Sequence, residues 1–340
     1  MKKNNFWRNK NVFISGVAGF VGSNLAKNLI NNGANVIGLT KNKKIKSLLF
    51  FEKIDQKVHL FFGDITNKKL LNKIFNKHKI DICFHLAAQV EVGFANRYPF
   101  STWETNIRGT YTLLEVVREN KNKIKSIVIA SSDKAYGKYP KNLLPYREDY
   151  KLNPEFPYDT SKACADLIAK SYSTNLFKLP ILITRFANIY GPGQLNFTAL
   201  IPDAIRCCIL NKKFLMRSNG KAIRDFIYIE DIIELYKILA KNLYKNPKKF
   251  SGQVFNAGTN IKHKTKDIIK EIFLYKKKKK SLEAIFKGMS KNKMIGEISY
   301  QYMNYKKLKL YLGWKPKYQF KQTLPSLFKW YGLYFKKRKI

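Results

Sequence analysis

The sequence predicts an α/β protein with a doubly wound parallel sheet and a smaller C-terminal α/β lobe. Three observations lead to this prediction. Up to about residue 190, short apolar runs alternate with longer amphipathic stretches, which is typical of βαβ units. A glycine-rich turn joins the first apolar run to the first amphipathic stretch. Beyond Gly191 the alternation gives way to Pro, Gly and mixed elements, which indicates a second lobe.

Strands and helices are expected to alternate through the first part of the chain. The strands are expected at Val12–Ser15, Asn35–Leu39, Val58–Phe62, Ile82–His85, Ser126–Ala130 and Ile181–Arg185. The helices are expected at Phe20–Asn31, Leu70–Lys77, Thr105–Glu119 and Ser161–Leu176. Two further strand-like runs, Asp225–Ile229 and Val254–Ala257, indicate that the chain returns to the first lobe before it ends in the second. The first lobe is therefore expected to hold residues 1–185 plus 223–258, and the second 186–222 plus 259–340.

The composition favours a folded chain with a large positive charge. Of the 340 residues, 45% are hydrophobic and 14% aromatic, which is enough for a sizeable core. Lys and Arg number 65 against 23 Asp and Glu, a net charge of +42 that would ordinarily indicate a nucleic-acid or anionic-membrane partner. The excess is almost all Lys, is scattered along the chain and accompanies abundant Asn, Ile, Phe and Tyr, as drift toward A/T-rich codons would give. We therefore expect no nucleic-acid partner.

The chain shows no sequence pattern of a membrane span or a secretory signal. No run of about 18 apolar residues occurs. The start, MKKNNFWRNK, leads into a strand-like segment without an apolar h-region or a cleavage site. We therefore expect a cytoplasmic protein with no membrane partner. Two basic segments, Lys276–Lys280 and Phe335–Ile340, are expected to be solvated.

The cysteines predict neither zinc binding nor redox chemistry. They are Cys83, Cys164, Cys207 and Cys208, with no C-x-x-C motif and no His at ligand spacing. Cys83 lies in the apolar run ICFHLAA and is expected to be a buried packing residue. No metal site is expected.

The segment VFISGVAGFVGSNLAKNLI contains three glycines, Gly16, Gly19 and Gly22, between a strand and an amphipathic helix. Such glycines let the backbone turn tightly and approach a pyrophosphate at the helix N-terminus, here next to Phe20 and Val21. The pattern lies within the first 25 residues of a βαβ chain. It therefore predicts a Rossmann-like dinucleotide-binding site.

The end of the second strand bears on the choice between NAD and NADP. An acid there favours NAD, because it holds the ribose hydroxyls of the adenosine. Here the strand leads into Thr40 and then into Lys-Asn-Lys-Lys at 41–44. Basic groups can accommodate a 2′-phosphate, so the segment admits NADP beside NAD.

Two further strand ends supply candidate cofactor residues. Asp64, followed by Ile65 in FFGDIT, could hold the adenine amino group, although a turn-forming Asp is the structural alternative. The fourth strand leads into HLAAQ at residues 85–89. This turn would present Leu86, Ala87 and Ala88 to the cofactor.

Tyr158 and Lys162 stand four residues apart in PYDTSKACADLIAKSY and would share one face of a helix. A Lys ammonium close to a phenol stabilises the phenolate and lowers the Tyr pKa, which makes Tyr a usable general base for a sugar hydroxyl. The segment Ser131–Lys134, with the sequence Ser-Ser-Asp-Lys, follows the fifth strand. Open α/β sheets carry their ligands at such strand ends, so the two segments are expected to meet there.

These motifs resemble the extended short-chain dehydrogenase/reductases of the NAD-dependent epimerase/dehydratase family. The family's motifs occur in order from Asn11 to about Tyr331, as GVAGFVGSN, GDIT, FHLAAQ, SSDKAYG, YDTSK, TRFANIYGPG, RDFIYIEDI and LGWKP. The resemblance implies NAD as cofactor, a catalytic triad of Ser132, Tyr158 and Lys162, and a supporting Asn106. It also implies a homodimer in which the helices Thr105–Glu119 and Ser161–Leu176 pair into a four-helix bundle.

The resemblance further implies a nucleotide-diphosphate hexose as substrate. Asn188 in RFANIYGPG and Arg224 in AIRDFIYIED match positions that contact the sugar diphosphate, and Gln89 is expected to bind the substrate. An Arg fork suits a phosphate, although Arg224 could instead be a structural partner of Asp225. The first lobe would thus bind the dinucleotide and the second the nucleotide sugar.

Asp133 and Lys134 favour a 4,6-dehydratase within this family. The family's epimerases usually carry small or apolar residues here, because they only oxidise and reduce one carbon. The dTDP-glucose dehydratases have Asp-Glu, whereas Asp-Lys is similar to the CDP-glucose 4,6-dehydratases. The glycine turn GVAGFVGS departs from the GHTGFKGS typical of that branch, which leaves the nucleotide open.

The expected reaction has three stages. Tyr158 takes the C4 hydroxyl proton while a hydride passes to the nicotinamide. Water is then lost across C5 and C6, with Asp133 as the acid and Lys134 as the base or a charge holder, and the hydride finally returns to C6. A capping or loop role for Asp133 and a surface role for Lys134 are the structural alternatives. A C4 epimerase or reductase with the same triad is the enzymatic alternative, and a non-catalytic nucleotide- or RNA-binding protein is the remote one.

Overall fold

The structure, a computed structural model, describes residues 5–43, 45–120, 124–216, 218–289 and 298–338. Its strands, in chain order, are β1 (Asn11–Ser15), β2 (Asn35–Thr40), β3 (His59–Phe62), β4 (Ile82–His85), β5 (Ser126–Ala130), β6 (Ile181–Phe186), β7 (Asn188–Tyr190), β8 (Ile223–Arg224), β9 (Phe226–Tyr228), β10 (Val254–Ala257), β11 (His263–Lys264) and β12 (Tyr300–Gln301). Its α-helices are α1 (Phe20–Asn31), α2 (Leu48–Phe51), α3 (Lys68–Lys77), α4 (Val92–Arg97), α5 (Pro99–Trp103), α6 (Gly109–Glu119), α7 (Pro157–Tyr172), α8 (Leu200–Ile209), α9 (Ile229–Lys245), α10 (Pro247–Phe250), α11 (Thr265–Tyr275), α12 (Lys279–Lys287), α13 (Lys306–Leu312) and α14 (Phe320–Arg338).

The largest sheet has seven strands in the order β10-β6-β5-β4-β1-β2-β3. The pairings from β3 to β6 are all parallel. The inner strands β1, β4, β5 and β6 are buried almost without interruption, as expected for a sheet that is covered on both faces. The predicted doubly wound α/β fold is confirmed. The strand order reverses between β1 and β4, and ligands of such sheets bind at the carboxyl ends of the strands at this point.

A hydrophobic core holds α3, α6 and α7 against one face of this sheet. Phe13 of β1 packs edge to face on Phe75 of α3, with ring centroids 5.0 Å apart. Other members of the core are Ile37, Leu71, Ile74, Leu113, Leu114, Val117, Ile127, Ala169, Ile181 and Ile183. Because α6 and α7 are fixed by this packing, the residues at their N-terminal ends have defined positions at the edge of the sheet.

The six predicted strands agree with the observed ones to within one residue at each end. The helices differ more. The segment expected as the helix Thr105–Glu119 begins with one turn of π-helix, Glu104–Arg108, before α6. The helix expected at Ser161–Leu176 is α7, which begins at Pro157 because proline suits the first helical turn, and ends at Tyr172.

The strand expected at Asp225–Ile229 lies outside the large sheet. The segment forms two short strands on either side of Asp225, β8 in a three-stranded sheet of order β11-β8-β12 and β9 paired with β7. The Asp225 carboxylate separates them because it is buried and accepts hydrogen bonds from the backbone amides of Thr259, Asn260 and Met303. The run Val254–Ala257 is β10 and joins the large sheet.

Within the described ranges, the chain divides into two compact units. The first comprises residues 1–137, 151–185 and 233–255, and the second 138–150, 186–232 and 256–340. Three segments that the sequence analysis placed with the first lobe belong to the second unit, namely residues 138–150, 223–232 and 256–258. The assignment of dinucleotide binding and nucleotide-sugar binding to the two lobes stays a prediction.

The lysine run and the basic tail were expected to be solvated, and Cys83 was expected to be buried. The lysine run Lys276–Lys280 covers the end of α11 and the start of α12, but Lys278 is not fully solvated, because its ammonium donates to Cys208 O and Asn211 Oδ1. The basic tail forms the end of α14 up to Arg338, and residues 339–340 lie outside the described residues. Cys83 is fully buried, as expected. None of the helices described here is long and apolar enough to cross a bilayer.

Candidate active site

The glycine turn after β1 has the geometry that its sequence predicts. Gly16 has a φ of +72°, and a Cβ there would lie 2.8 Å from the backbone of Ala87. A Cβ on Gly22 would lie 2.3 Å from Gly16 O, so only glycine allows the first turn of α1 to pack on this loop. Gly19 stands immediately before α1 in an extended conformation. The first amides of the helix have no partners within it and can bind an anion.

A groove of about 310 Å³ opens beside this turn in the first unit. It is lined by eight of the residues that the sequence assigned to cofactor or substrate, namely Gly16, Gly19, Thr40, Ile65, Leu86, Ala87, Ala88 and Gln89. Phe20, Val21, Gly22, Asp64 and Asn106 are not among its lining residues. Phe94, Ser101 and Thr105 also line the groove. The sequence analysis assigned no element to α4 and α5, which carry Phe94 and Ser101, and it placed Thr105 at the start of a helix without a role in the site.

Lys41, which lines the groove, is paired with Asp64, which does not line it. Lys41 Nζ lies 3.2 Å from Asp64 Oδ2. Asp64 Oδ1 accepts hydrogen bonds from Thr66 N and Thr66 Oγ1, at 3.0 and 2.9 Å, so this carboxylate also shapes the turn after β3. Burial raises the pKa of Asp64, but the hydrogen bonds from Thr66 and the charge of Lys41 outweigh burial and hold that pKa below its usual value.

Asn106, in the π-helical turn, joins the groove to the helix that carries Tyr158. Its Oδ1 accepts a hydrogen bond from Gln89 N at 2.7 Å, and its Nδ2 donates to Gln89 O at 2.9 Å. The same Nδ2 donates to Ser161 Oγ at 2.8 Å. Asn106 therefore supports the turn after β4 and the start of α7 at once, which agrees with the supporting role that the resemblance implies.

Tyr158 and Lys162 lie one turn apart on α7, and both side chains are buried. Lys162 Nζ donates to Ala130 O, at the end of β5, at 2.9 Å. Burial lowers the pKa of Lys162 to about 8, against the opposing charge of Asp166. Burial raises the pKa of Tyr158; a hydrogen bond with Ser132 lowers it, and the charges of Asp133 and Asp159 raise it.

The expectation that Lys162 lowers the pKa of Tyr158 is wrong. The pKa of Tyr158 shifts upward, because burial of the phenol and the charges of two nearby carboxylates act in the same direction. Tyr158 therefore keeps its proton in the physiological range.

Ser132 joins Tyr158 to Asp133. Its Oγ donates to Asp133 Oδ1 at 3.0 Å and accepts from Lys134 N at 3.2 Å, which caps the short 3-10 turn Asp133–Tyr136. The cap of this turn is thus Ser132 and not Asp133. Asp133 is buried, with 5% of its surface exposed, and Lys134 is half-buried. Neither residue is therefore as exposed as it would be in a solvated loop.

Asp159 is a site residue that the sequence analysis missed. It is 2% exposed, and within the described residues its Oδ1 accepts no hydrogen bond. Burial raises the pKa of Asp159 to about 6, with Lys134 opposing the shift and Asp133 and Glu155 adding to it. In the sequence, Asp159 is an acidic residue between Tyr158 and Lys162. It was not noticed, because the helix was expected to begin only at Ser161.

A buried ion pair fixes the elements that carry these groups. Arg185 of β6 donates to Asp166 of α7 through Nε and Nη2, at 2.7 and 2.9 Å. Its Nη1 donates to the hydroxyl of Tyr136, in the turn that begins with Asp133, at 2.9 Å. One guanidinium therefore holds the catalytic helix, the sheet and the Asp133 turn together.

Comparison with known proteins agrees with this geometry. The family model described as GDP-mannose 4,6 dehydratase matches residues 13–327. The chain belongs to this family. A dTDP-D-glucose 4,6-dehydratase of Dictyostelium discoideum is 33% identical over 287 residues, which are 77% of this chain and 61% of that protein. A CDP-glucose 4,6-dehydratase of Salmonella typhimurium is 29% identical over 341 residues, 96% of this chain and 92% of that protein.

A solved dehydratase of the family has the same fold. The dTDP-glucose 4,6-dehydratase of Bacillus anthracis, crystallised in complex with NAD, superimposes with a TM-score of 0.82 at 27% identity and covers 96% of this chain and 98% of its own. The family resemblance inferred from the motifs is therefore confirmed, and the chain is a member of the nucleotide-sugar 4,6-dehydratase family.

In the second unit of this family member, the two predicted substrate residues lie on short strands of two different sheets, β7 and β8. Asn188 is exposed on β7, and its Nδ2 donates to Asp225 O at 3.2 Å. Arg224 on β8 donates through Nη1 to Ile223 O and Ile298 O, at 2.9 and 2.6 Å. The contact of either residue with a sugar diphosphate stays a prediction.

Proposed function

We propose that this protein is an NAD-dependent nucleotide-sugar 4,6-dehydratase of the CDP-glucose type. The observation that carries the proposal is the buried Asp133, which is hydrogen-bonded to Ser132 next to Tyr158. An enzyme that only oxidises and reduces C4 needs Tyr158, Lys162 and Ser132 but has no use for a second buried acid. An enzyme that must also expel the C6 hydroxyl does need one.

The residues around the groove fit a dinucleotide. Side chains are excluded from the glycine turn, and the small residues Ala87 and Ala88 also line the groove. The start of α1 would hold the pyrophosphate, and Thr40 and Lys41 lie where the adenosine ribose is expected. When bound there, the nicotinamide would supply the redox chemistry, taking a hydride from C4 and returning it to C6.

The choice between NAD and NADP depends on Lys41. No carboxylate follows β2 to repel a 2′-phosphate, and Lys41 is already paired with Asp64. We propose NAD as the working cofactor, with NADP also accepted. Comparison of the two dissociation constants tests this, and an affinity for NADP more than about a hundredfold weaker than for NAD would exclude its acceptance.

In the first step, Tyr158 accepts the proton of the C4 hydroxyl. Ser132 is positioned to hold the C4 oxygen, because its Oγ already exchanges hydrogen bonds with Tyr158 and Asp133. Lys162 supplies positive charge close to the phenol, from an ammonium that the carbonyl of Ala130 holds in place. The resulting C4 ketone makes the C5 proton acidic.

In the second step, Asp133 protonates the departing C6 oxygen, which leaves as water, and Lys134 takes the C5 proton or holds the charge that develops. Asp159 contributes to this step through its charge, because it interacts electrostatically with both Asp133 and Lys134. Return of a proton to C5, together with the hydride that the nicotinamide would return to C6, then completes the 4-keto-6-deoxy sugar.

The nucleotide end and the assembly complete the proposal. We propose that Arg224 binds the diphosphate and that Asn188 binds next to it, each from the second unit.

We also propose a homodimer formed through α6 and α7, because apolar side chains are exposed on and near these helices, among them Phe100, Trp103, Tyr111 and Leu167.

The test is a panel of nucleotide hexoses followed by one substitution. Wild-type protein with CDP-glucose, dTDP-glucose, UDP-glucose or GDP-mannose should release a 4-keto product lighter by one water molecule, seen by mass spectrometry. In Asp133→Asn, reduced nicotinamide and a 4-keto sugar that keeps its C6 oxygen should accumulate, since loss of a positioned acid slows its step by a factor of about 10² to 10⁴.

The matched control is Asp149→Asn, which removes an exposed carboxylate paired with Arg147 and should leave the elimination rate unchanged. Release of a C4-inverted sugar without loss of water would favour the epimerase alternative. Dehydration by Asp133→Asn at the wild-type rate would refute the acid role of Asp133.

A further inference from the structure

A continuous chain of hydrogen bonds crosses the carboxyl ends of β1 and β4 below the candidate active site. It passes from Ser15 through His85 and Thr110 to Asn106, and we call these four residues the His85 chain. Ser15 Oγ lies 2.8 Å from His85 Nδ1, and His85 Nε2 lies 3.0 Å from Thr110 Oγ1. Thr110 Oγ1 lies 2.6 Å from Asn106 O. All four side chains are buried.

The donor and acceptor of each hydrogen bond in the His85 chain follow from the single hydroxyl proton of Thr110. Thr110 has a single hydroxyl proton, and a backbone carbonyl can only accept, so Thr110 donates to Asn106 O. Thr110 Oγ1 must then accept from His85 Nε2–H, which leaves Nδ1 without a proton. Ser15 therefore donates to Nδ1, and its oxygen is free to accept from the amides of Leu86 and Ala87, at 3.1 and 3.2 Å.

The neutral Nε2–H tautomer of His85 is the one form that satisfies this arrangement. A proton on Nδ1 would point at Ser15 Oγ, and the Ser15 hydroxyl would lose the acceptor of its own proton. Burial, together with the positive charge of Lys162, lowers the pKa of His85 to about 3, so the imidazole stays neutral in the physiological range. The bond directions are therefore fixed at any pH at which the protein would work.

The two ends of the His85 chain reach the two halves of the active site. At one end, the amides of Leu86 and Ala87 belong to the wall of the dinucleotide groove. At the other end, Asn106 donates to Ser161 Oγ, which itself donates to the backbone carbonyl of Tyr158 at 2.7 Å. Movement of Asn106 would thus shift both the groove wall and the residue that accepts the substrate proton.

A purely structural histidine would not explain this pattern. An apolar side chain could fill the volume of His85, yet here both ring nitrogens make directed bonds to two different elements. The last bond ends on the carbonyl of Asn106, inside the π-helical turn, where the backbone departs from regular helical hydrogen bonding. Single π turns occur mainly at functional sites.

We propose that His85 and Thr110 are positioning residues for the oxidation at C4, acting through Asn106 on the groove wall and on Tyr158. This inference rests on the proposed function, because it names residues that prepare the first step of the proposed reaction. Neither residue is among those that line the groove. They act on the distance and alignment between the bound substrate and cofactor. The rate of hydride transfer is very sensitive to both.

The test compares two substitutions of Thr110 in single-turnover reactions with NAD and the active nucleotide hexose among CDP-, dTDP- and UDP-glucose. Thr110→Val keeps the shape but removes the hydroxyl, and should lower the rate constant of nicotinamide reduction about tenfold. Thr110→Ser keeps the hydroxyl and should restore the rate constant to within about threefold of wild type. Thr112→Val, the same change two residues along α6 and outside the His85 chain, is the matched control and should leave the rate constant unchanged.

The rate constant separates positioning from a loss of folded protein. A merely structural role would reduce the amplitude of the reaction, because fewer molecules react, but those that do would react at the wild-type rate. Equal rate constants for Thr110→Val and wild type would therefore overturn the inference. Absence of nicotinamide reduction in the wild type with every nucleotide hexose would instead overturn the proposed function.

Two substitutions of His85 test the two halves of the chain separately. Asn at 85 offers an acceptor to Ser15 but does not reach Thr110, whereas Gln at 85 offers a donor near Thr110 but no acceptor to Ser15. His85→Asn should resemble Thr110→Val and slow reduction. His85→Gln should weaken NAD binding more than it slows reduction, since the groove wall loses its support at Ser15. Identical effects of the two variants on both quantities would contradict the assigned bond directions.

Discussion

Asp159→Asn is expected to stabilise the protein, and to do so only above acidic pH. The Asp159 carboxyl is 2% exposed, and the described residues give its Oδ1 no hydrogen-bond donor. Its pKa is raised from 3.8 to about 6, because burial disfavours the charge more than Lys134 favours it. A carboxyl with a raised pKa in the folded state makes folding less favourable once it is ionised.

The expected change in the free energy of unfolding follows from the shift in the pKa of Asp159. The difference between 3.8 and about 6 is about 2 pH units, and each unit corresponds to about 1.4 kcal/mol, so ionised Asp159 lowers the free energy of unfolding by about 3 kcal/mol. Below pH 3.8 the group is protonated in both states and has no effect. Between 3.8 and 6 the stability falls as pH rises, and above 6 the full penalty is present. Loss of an acid from the first turn of α7 offsets the gain by about 0.5 kcal/mol.

The assay is the thermal melting of wild type and Asp159→Asn at several pH values. At pH 8 the variant should melt about 3 to 4 °C higher, and at pH 5 about half of that gain should remain. Asp149→Asn, at an exposed carboxylate, should show no such gain at pH 8. A gain of equal size at both pH values, or a lower melting temperature at pH 8, would refute the reasoning that burial of charge at Asp159 destabilises the folded chain.

Three further predictions concern the cofactor, the base and the assembly. Tyr158→Phe should abolish turnover and leave NAD affinity within a few-fold of wild type in a fluorescence titration, because only the proton-accepting hydroxyl is removed. Gly22→Ala should weaken NAD binding at least tenfold, since its Cβ would lie 2.3 Å from Gly16 O, whereas Gly93→Ala, whose Cβ would meet nothing within 4 Å, should bind NAD normally. Light scattering at micromolar concentration should give a homodimer, and Leu167→Glu should shift it toward monomer; a wild-type monomer would contradict the proposed assembly.

Local patterns allowed the sheet and the glycine turn to be predicted from sequence. A strand that is buried on both faces is a short apolar run, and Gly16 is needed because its φ of +72° and its contact with Ala87 exclude other residues. The segment around Asp225 was harder, because its apolar residues suit a strand in any sheet. Its true place is set by three backbone amides from residues 259–303, far along the chain.

The groups that the sequence analysis missed depend on contacts between distant elements. His85 was noticed only as part of HLAAQ, because its partners Ser15 and Thr110 lie 70 and 25 residues away. Asp159 was missed because the predicted helix began too late. Its raised pKa results from burial and from the charge of Asp133 on another element, which outweigh the charge of Lys134. Motifs locate the reacting groups, but the electrostatic state of each group is set by neighbours that no spacing rule identifies.

That electrostatic state bears directly on how the reaction begins. With the pKa of Tyr158 raised and that of Lys162 lowered only to about 8, both residues hold their protons at pH 7. Tyr158 is thus a neutral phenol at this pH. The carboxylates of Asp133 and Asp159 also oppose ionisation of the phenol, because their charges raise its pKa. Under the proposed function, a sugar hydroxyl that donates a hydrogen bond to the Asp133 carboxylate would reduce this opposition, so substrate binding would itself make Tyr158 a better proton acceptor.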